Sequence, residues 1–509
     1  MRSLRHVTTF ALVVGAAVAG LVPGSMPAAR ADHDPVHTDL VVDTFADTFD
    51  GSCGDGSCSL RDAVASVPDG GSIGLPAGFF GLTRTGDDPI GEGAIELDRS
   101  MTIRGLGLTA SFLDGSGLED RLFEVRRGAR VRLIDLTLLG GDVGSEAGGA
   151  IRVRRGALAV DEVTLTDNRA TDGGAIAVAG PGGRLSVRRS ILLDNVATTQ
   201  GGAISVGAGG TLRLRRSALA GNVARQLGGA VMSSASTSVT ITDTTLARNR
   251  AGDRGGALHL SGTALIDRAT VARNRADRHA GVSAQPGSDV TFAGSIVADN
   301  IGVSASPQCS RRVGSRGFNI EGGGDSCRFD ARGDLVRADA RLRTFGPYGG
   351  PTPTIALRAD SPAIDRGGVC GRWDQRGAPR RNRCDAGGYE LVRCLGRPVD
   401  IVGTPGDDEL SGGRGPDTFL GLAGNDEFQG SLGHDRACGN GGADLLLGGP
   451  GRDRLHAGAG DDRLEGEAGN DVLIGGPGAD LLIGGPGHDV CIVDRHDRWR
   501  GCEVVRQRR

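Results

Sequence analysis

The chain of 509 residues has no lysine, so all 58 basic residues are arginine. That removes one of the common acid/base side chains from any catalytic reading. Aromatics make up only 3% of the residues, too few for a large globular core or for many sugar-stacking platforms. After residue 31 no long apolar run occurs, which leaves no membrane span in the mature chain. The charges form no dense block of one sign in the basic part, which speaks against a nucleic-acid partner. No C-x-x-C pair exists and the nine histidines are scattered, an arrangement that disfavours zinc.

What is abundant is glycine, 88 residues of it, together with periodicity. Ten consecutive nine-residue blocks run from Gly403 to Ile492, each close to G-G-x-G-x-D-x-U-x with U apolar. The fourth position is always glycine. The sixth is always aspartate: Asp408, Asp417, Asp426, Asp435, Asp444, Asp453, Asp462, Asp471, Asp480 and Asp489. Six residues of each block turn tightly and three form a short strand with one apolar side chain inward, so two blocks close one coil of a parallel β-roll.

Coils stack about 4.8 Å apart, which lines the aspartates into carboxylate columns. Two such charges repel by about 1 kcal/mol in water and by several at an effective dielectric near 20. A hard divalent cation with oxygen ligands removes that cost, and carboxylates with turn carbonyls supply the six to eight oxygens calcium prefers. The blocks resemble the hemolysin-type (RTX) repeat, and the resemblance implies Ca²⁺ bound between neighbouring turns. With each ion between blocks two apart, ten blocks allow at most about eight ions. Val399–Ile492 holds 17 Asp and Glu against 5 Arg, a net charge of −12.

A longer period precedes the roll. Asparagine recurs at 168, 195, 222, 249, 274 and 300, in step with Gly-Gly-Ala-apolar segments such as Gly173-Gly174-Ala175-Ile176 and Gly201-Gly202-Ala203-Ile204. A spacing of 25 to 27 residues is a coil length, and alternation in Leu185-Ser186-Val187-Arg188 points apolar side chains inward and arginine outward. The expected fold is all-β, a right-handed parallel β-helix (a pectin-lyase-like solenoid) followed by a calcium-binding parallel β-roll. The asparagines are expected to form a buried amide ladder.

At the N-terminal side, Ser59 followed by Asp62 reads as a helix cap over the first coil. Cys58-Ser59-Leu60-Arg61-Asp62-Ala63-Val64 resembles the CSLREA motif that precedes β-helices in exported bacterial proteins. Ser361-Pro362-Ala363-Ile364-Asp365, Asp374-Gln375-Arg376-Gly377 and Cys384-Asp385-Ala386-Gly387-Gly388-Tyr389-Glu390 resemble the closing segment of choice-of-anchor surface proteins.

The resulting division is a signal peptide at 1–31, a cap and first coils at 32–130, and β-helix repeats at 131–330. A closing segment at 331–393, the RTX roll at 394–492 and a tail at 493–509 complete it. The signal rests on Arg2 and Arg5, the apolar stretch Val7–Val22 and the site Ala29-Arg30-Ala31. It implies a secreted, extracellular protein, with a retained membrane anchor as the competing reading. Ten cysteines in an exported chain are expected to pair, near neighbours first: Cys53–Cys58, Cys309–Cys327, Cys370–Cys384 and Cys491–Cys502, leaving Cys394–Cys438.

Function reads as calcium binding with a structural, adhesive or surface-binding role toward polysaccharide or a cell surface, with no residue assigned to catalysis. The alternative is a polysaccharide lyase or mannuronan C-5 epimerase-like enzyme acting on uronate polymers, whose layout a β-helix followed by nonapeptide rolls resembles. Its best clusters are Asp253 with Arg254, and Asp277 with Arg278 and His279. The only tyrosines, Tyr348 and Tyr389, follow the main repeat, and only His259 and His279 lie within it.

Overall fold

A computed structural model describes residues 38–54, 56–86, 93–303, 308–311 and 313–507. The expected signal segment lies outside the described residues. Within them the chain is nearly all β, with a single helix of seven residues, Leu60–Ser66. Ser59 caps that helix and Asp62 returns the bond to the Ser59 amide, while Leu60, Ala63 and Val64 bury themselves at the head of the solenoid core. Arg61 is fully buried because Asp47 meets its guanidinium at 2.6 Å.

The following coils form a parallel β-solenoid with sheets of 19, 8 and 6 strands. Register follows the coil length: Leu158 pairs with Leu185, Leu185 with Leu212 and Leu212 with Val239. Strand Arg184–Arg188 alternates exposed and buried, so Leu185 and Val187 enter the core while Arg184, Ser186 and Arg188 face out. Each fully buried leucine contributes about 2 kcal/mol, and stacking makes that column continuous.

The asparagine ladder is present in full. Nδ2 of Asn168, Asn195, Asn222, Asn249 and Asn274 each donates to Oδ1 of the next asparagine at 2.9–3.0 Å. The residue before each rung takes a left-handed backbone, as at Asp167, Asp194, Arg248, Arg273 and Asp299. That conformation costs roughly 1 kcal/mol per non-glycine residue, and the buried amide bonds offset it. A second ladder, of hydroxyls, runs through Ser190, Ser217 and Thr244. In the Gly-Gly-Ala step the second glycine is a close-approach position: a Cβ on Gly174 would lie 2.3 Å from the carbonyl oxygen of Gly202 on the next coil.

Beyond Ile320 the chain turns back. An antiparallel hairpin, Leu342–Gly346 with Thr354–Leu357, and the loops through Glu390 lie along the flank of the solenoid, covering Ile191, Leu193, Ala218, Ala247, Ala272 and Ile296. Gln375 accepts from Thr245 Oγ1 at 2.6 Å, and Arg380 reaches Asp243 at 3.2 Å. Buried Arg376 is held by Asp374 at 2.9 Å and lies over the Tyr389 ring. The motif expected to close the β-helix therefore forms a lateral strap.

The roll has two sheets of seven and six strands whose partners lie 18 residues apart, as Leu410 with Phe428 and Leu446 with Leu464. The eighth positions build its core. All ten cysteines pair as expected, and Cys394–Cys438 ties the strap's end to the roll.

Candidate metal centre

The ten aspartates fall into two columns, one on each edge of the roll. Along each column the backbone amide of one aspartate donates to Oδ1 of the aspartate 18 residues on. Asp408 meets Asp426 at 2.9 Å, Asp426 meets Asp444 at 2.8 Å, and Asp444 meets Asp462 at 2.7 Å. On the other edge Asp417, Asp435, Asp453, Asp471 and Asp489 repeat the arrangement. One carboxylate oxygen of each acid from Asp426 to Asp489 thus locks the coil spacing.

The other oxygen behaves differently. Oδ2 of Asp426, Asp435, Asp444, Asp453, Asp462, Asp471, Asp480 and Asp489 is buried with no hydrogen-bond partner. Among the described residues no arginine forms an ion pair with any of these eight. Burial, with neighbouring carboxylates adding to it, pushes Asp426 and Asp453 up to about 7 and Asp435, Asp462 and Asp480 up to about 6. A buried carboxylate oxygen without donor or counter-charge is costly unless a cation fills the place.

The first two acids are set apart. Asp408 Oδ2 accepts from the Thr404 amide at 2.5 Å, and Asp417 Oδ2 from the Gly413 amide at 2.8 Å. Eight of the ten expected ligands therefore keep an open oxygen.

Two acids beyond the nine-residue pattern join the columns. The Asp480 amide donates to Asp497 at 3.1 Å and the Asp489 amide to Glu503 at 2.6 Å. Strands Arg498–Arg500 and Val504–Gln507 pair with the roll sheets, so stacking runs on into the segment expected to be a tail. The spacing shrinks there to 17 and 14 residues, which hid both acids from a search on period nine.

Among the described residues no three His, Cys, Asp or Glu side chains converge on one point. Any cation between coils must then draw on backbone oxygens. The fourth-position glycines bring such oxygens close: a Cβ on Gly469 would lie 1.5 Å from the Gly451 carbonyl oxygen, and one on Gly460 would lie 1.9 Å from that of Gly442. Hard oxygen donors, anionic and carbonyl together, are the set calcium takes. The residues present fit that ion.

The clusters considered for catalysis are organised otherwise. Asp253 is ion-paired with Arg278 and with Arg254 on the surface. His259 is buried, hydrogen-bonded to Gln285 at 2.9 Å, and burial with Arg254 nearby pushes it down to about 4.

A family model described as RTX calcium-binding nonapeptide repeat (4 copies) matches residues 402–437, 439–473 and 456–491. No curated protein matches the chain. Among solved structures, the catalytic unit of a thermostable GH87 alpha-1,3-glucanase from Streptomyces thermodiastaticus strain HF3-3 aligns with 14% identity and a TM-score of 0.26. That alignment covers 94% of this chain and 71% of the other. The PL6 family alginate lyase AlyGC aligns with 10% identity and a TM-score of 0.22, covering 87% and 77%. The chain is thus a parallel β-solenoid followed, over residues 402–491, by RTX calcium-binding nonapeptide repeats.

Proposed function

We propose that this is a secreted β-solenoid protein with a structural, adhesive or surface-binding role, whose roll is ordered by calcium after export. The eight buried, partnerless Oδ2 atoms carry the reading. Asp426, Asp435, Asp444, Asp453, Asp462, Asp471, Asp480 and Asp489 would hold the ions, with backbone carbonyls completing the shell. Bound calcium supplies the positive charge that lets these carboxylates ionise inside the roll. Without it the columns repel, and one apolar residue per nine gives the roll a thin core. Five disulfides fit an oxidising compartment outside the cell, where weak calcium sites fill.

Hydrogen exchange of the full chain tests this. Amides of 403–492 should gain protection when calcium replaces chelator, those of 131–300 should not change, and magnesium should substitute poorly. Equal protection of the roll in chelator and in calcium would sink the metal-ordering reading.

A further inference from the structure

The outer face of the solenoid carries a trough of about 600 Å³ that no element of the described chain fills. Its floor is Ala157, Ala159 and Ser186, and its rims are Arg130 and Arg132 on one side and Arg184 and Arg213 on the other. The parallel register dictates this. Arg130, Ala157 and Arg184 occupy one row across three coils, and Arg132, Ala159, Ser186 and Arg213 occupy the row beside it. At about 4.8 Å per coil, Arg130 and Arg184 arise from points about 10 Å apart, and Arg132 and Arg213 from points about 14 Å apart. Ala157 between Arg130 and Arg184, and Ala159 with Ser186 between Arg132 and Arg213, make the depression, since short side chains there are flanked by long ones.

No carboxylate lines the trough. Some arginines elsewhere on the solenoid meet carboxylates: Arg121 meets Glu124 at 2.9 Å, Arg189 meets Glu162 at 2.7 Å and Arg268 meets Asp243 at 3.0 Å. Among the described residues none of the four rim guanidinium groups has an ion-pair or hydrogen-bond partner. Four positive charges therefore converge, exposed, on one concave strip whose floor is built of small, uncharged side chains.

We propose that this trough binds a linear anionic glycan, a polyuronate strand lying along the solenoid axis. A pyranosyl unit advances such a chain by roughly one coil spacing, about 5 Å, so its carboxylates keep step with the coils. Arginine forks grip carboxylates through two parallel hydrogen bonds, and the alanine floor leaves room for a ring between the rims. Single-stranded nucleic acid carries similar charge but is held by stacking on aromatic side chains, and none lines the trough. Neutral sugars rely on the same platforms. Charge is what the site offers. The inference gives a chemical partner to the surface-binding role proposed above, and because the trough lies wholly in the solenoid it is testable apart from calcium.

Calorimetric titration of the full chain with a galacturonate hexasaccharide, in chelator and again in calcium, decides it. Binding should weaken as salt rises, and the fully methyl-esterified hexasaccharide should bind at least about tenfold more weakly. The double variant R130S/R184S should lose about tenfold or more in affinity with an unchanged melting temperature. R225S, an exposed arginine outside the trough, should bind as the parent does. Absence of binding by the parent chain, unchanged affinity in R130S/R184S, equal binding of the ester, or tighter binding of a single-stranded hexadeoxynucleotide would each overturn the assignment. None of these results would bear on calcium ordering of the roll, which hydrogen exchange reads separately.

Discussion

The amide of Asp444 donates to Oδ1 of Asp462 one coil away at 2.7 Å, while Oδ2 of Asp462 is buried against no donor at all. One carboxylate thus has two halves with different tasks, the first spacing the coils and the second left open for a cation. Each half yields a separate expectation.

The open half makes the metal-free roll pH-sensitive. Burial holds Asp426 and Asp453 at about 7 and Asp435, Asp462, Asp471 and Asp480 at about 6, against 3.8 in an unfolded chain. Between about pH 4 and pH 7 the folded roll therefore holds more protons than the unfolded one, so its stability falls as pH rises through that window. In chelator, amides of 403–492 should be better protected at pH 5 than at pH 7.5. In calcium the order should reverse, because the ion competes with those protons. Better protection at pH 7.5 in chelator would contradict the burial of unpaired carboxylates.

The two halves also separate the acids from one another. Asp444→Asn with Asp462→Asn should raise the calcium needed for half-maximal protection several-fold. Asp408→Asn and Asp417→Asn should shift it little, since their Oδ2 atoms already accept from Thr404 and Gly413. Asp489 is followed by Glu503, so it should behave as an interior member, and Glu503→Gln should mark the weak end. Equal effects at all positions in calcium titrations would remove the distinction.

In the solenoid, Asn222→Ala should cost about 2–3 kcal/mol, because it strips the Asn195 amide of its acceptor and leaves the Leu192 carbonyl without its donor. The loss should appear in thermal unfolding of the solenoid and be the same in chelator and in calcium. A cost below about 0.5 kcal/mol would mean that water replaces the rung.

Asp253→Asn breaks an exposed ion pair with Arg278, so the melting transition should move by the equivalent of less than about 1 kcal/mol. If the lyase or epimerase alternative were correct, turnover of a uronate polymer would fall with Asp253→Asn or His279→Ala. We expect neither variant to alter a 4,5-unsaturated product signal in a spectrophotometric assay.

Much of this was readable in the chain because stacked coils turn three-dimensional neighbours into fixed sequence intervals. The aspartate columns, the Asn168–Asn300 ladder and the Ser59 cap follow from spacing or adjacency, and the Cys394–Cys438 link is the pair left once near neighbours are joined. The strap was not readable, for Gln375 and Arg380 belong to no repeat and reach Thr245 and Asp243, more than a hundred residues away. Asp497 and Glu503 were missed because the coil shortens around them. The arginine trough had a signal, Arg130 and Arg184 lying two 27-residue steps apart, but it acquires meaning only beside the unpaired state of the side chains.

The strap packs on the coils from Ile191 to Ile320. Along its reach the solenoid is a fixed-length object, because a coil inserted or deleted between those residues would pull Thr245 from Gln375 and Asp243 from Arg380. The strap's polar anchors at Arg216, Asp243, Thr245 and Arg268 lie after Ile191. A whole 27-residue unit gained or lost ahead of Ile191 would preserve every ladder while lengthening or shortening the distance between the arginine rims. The molecule can thus change its ruler at one end without touching the joint to its roll at the other.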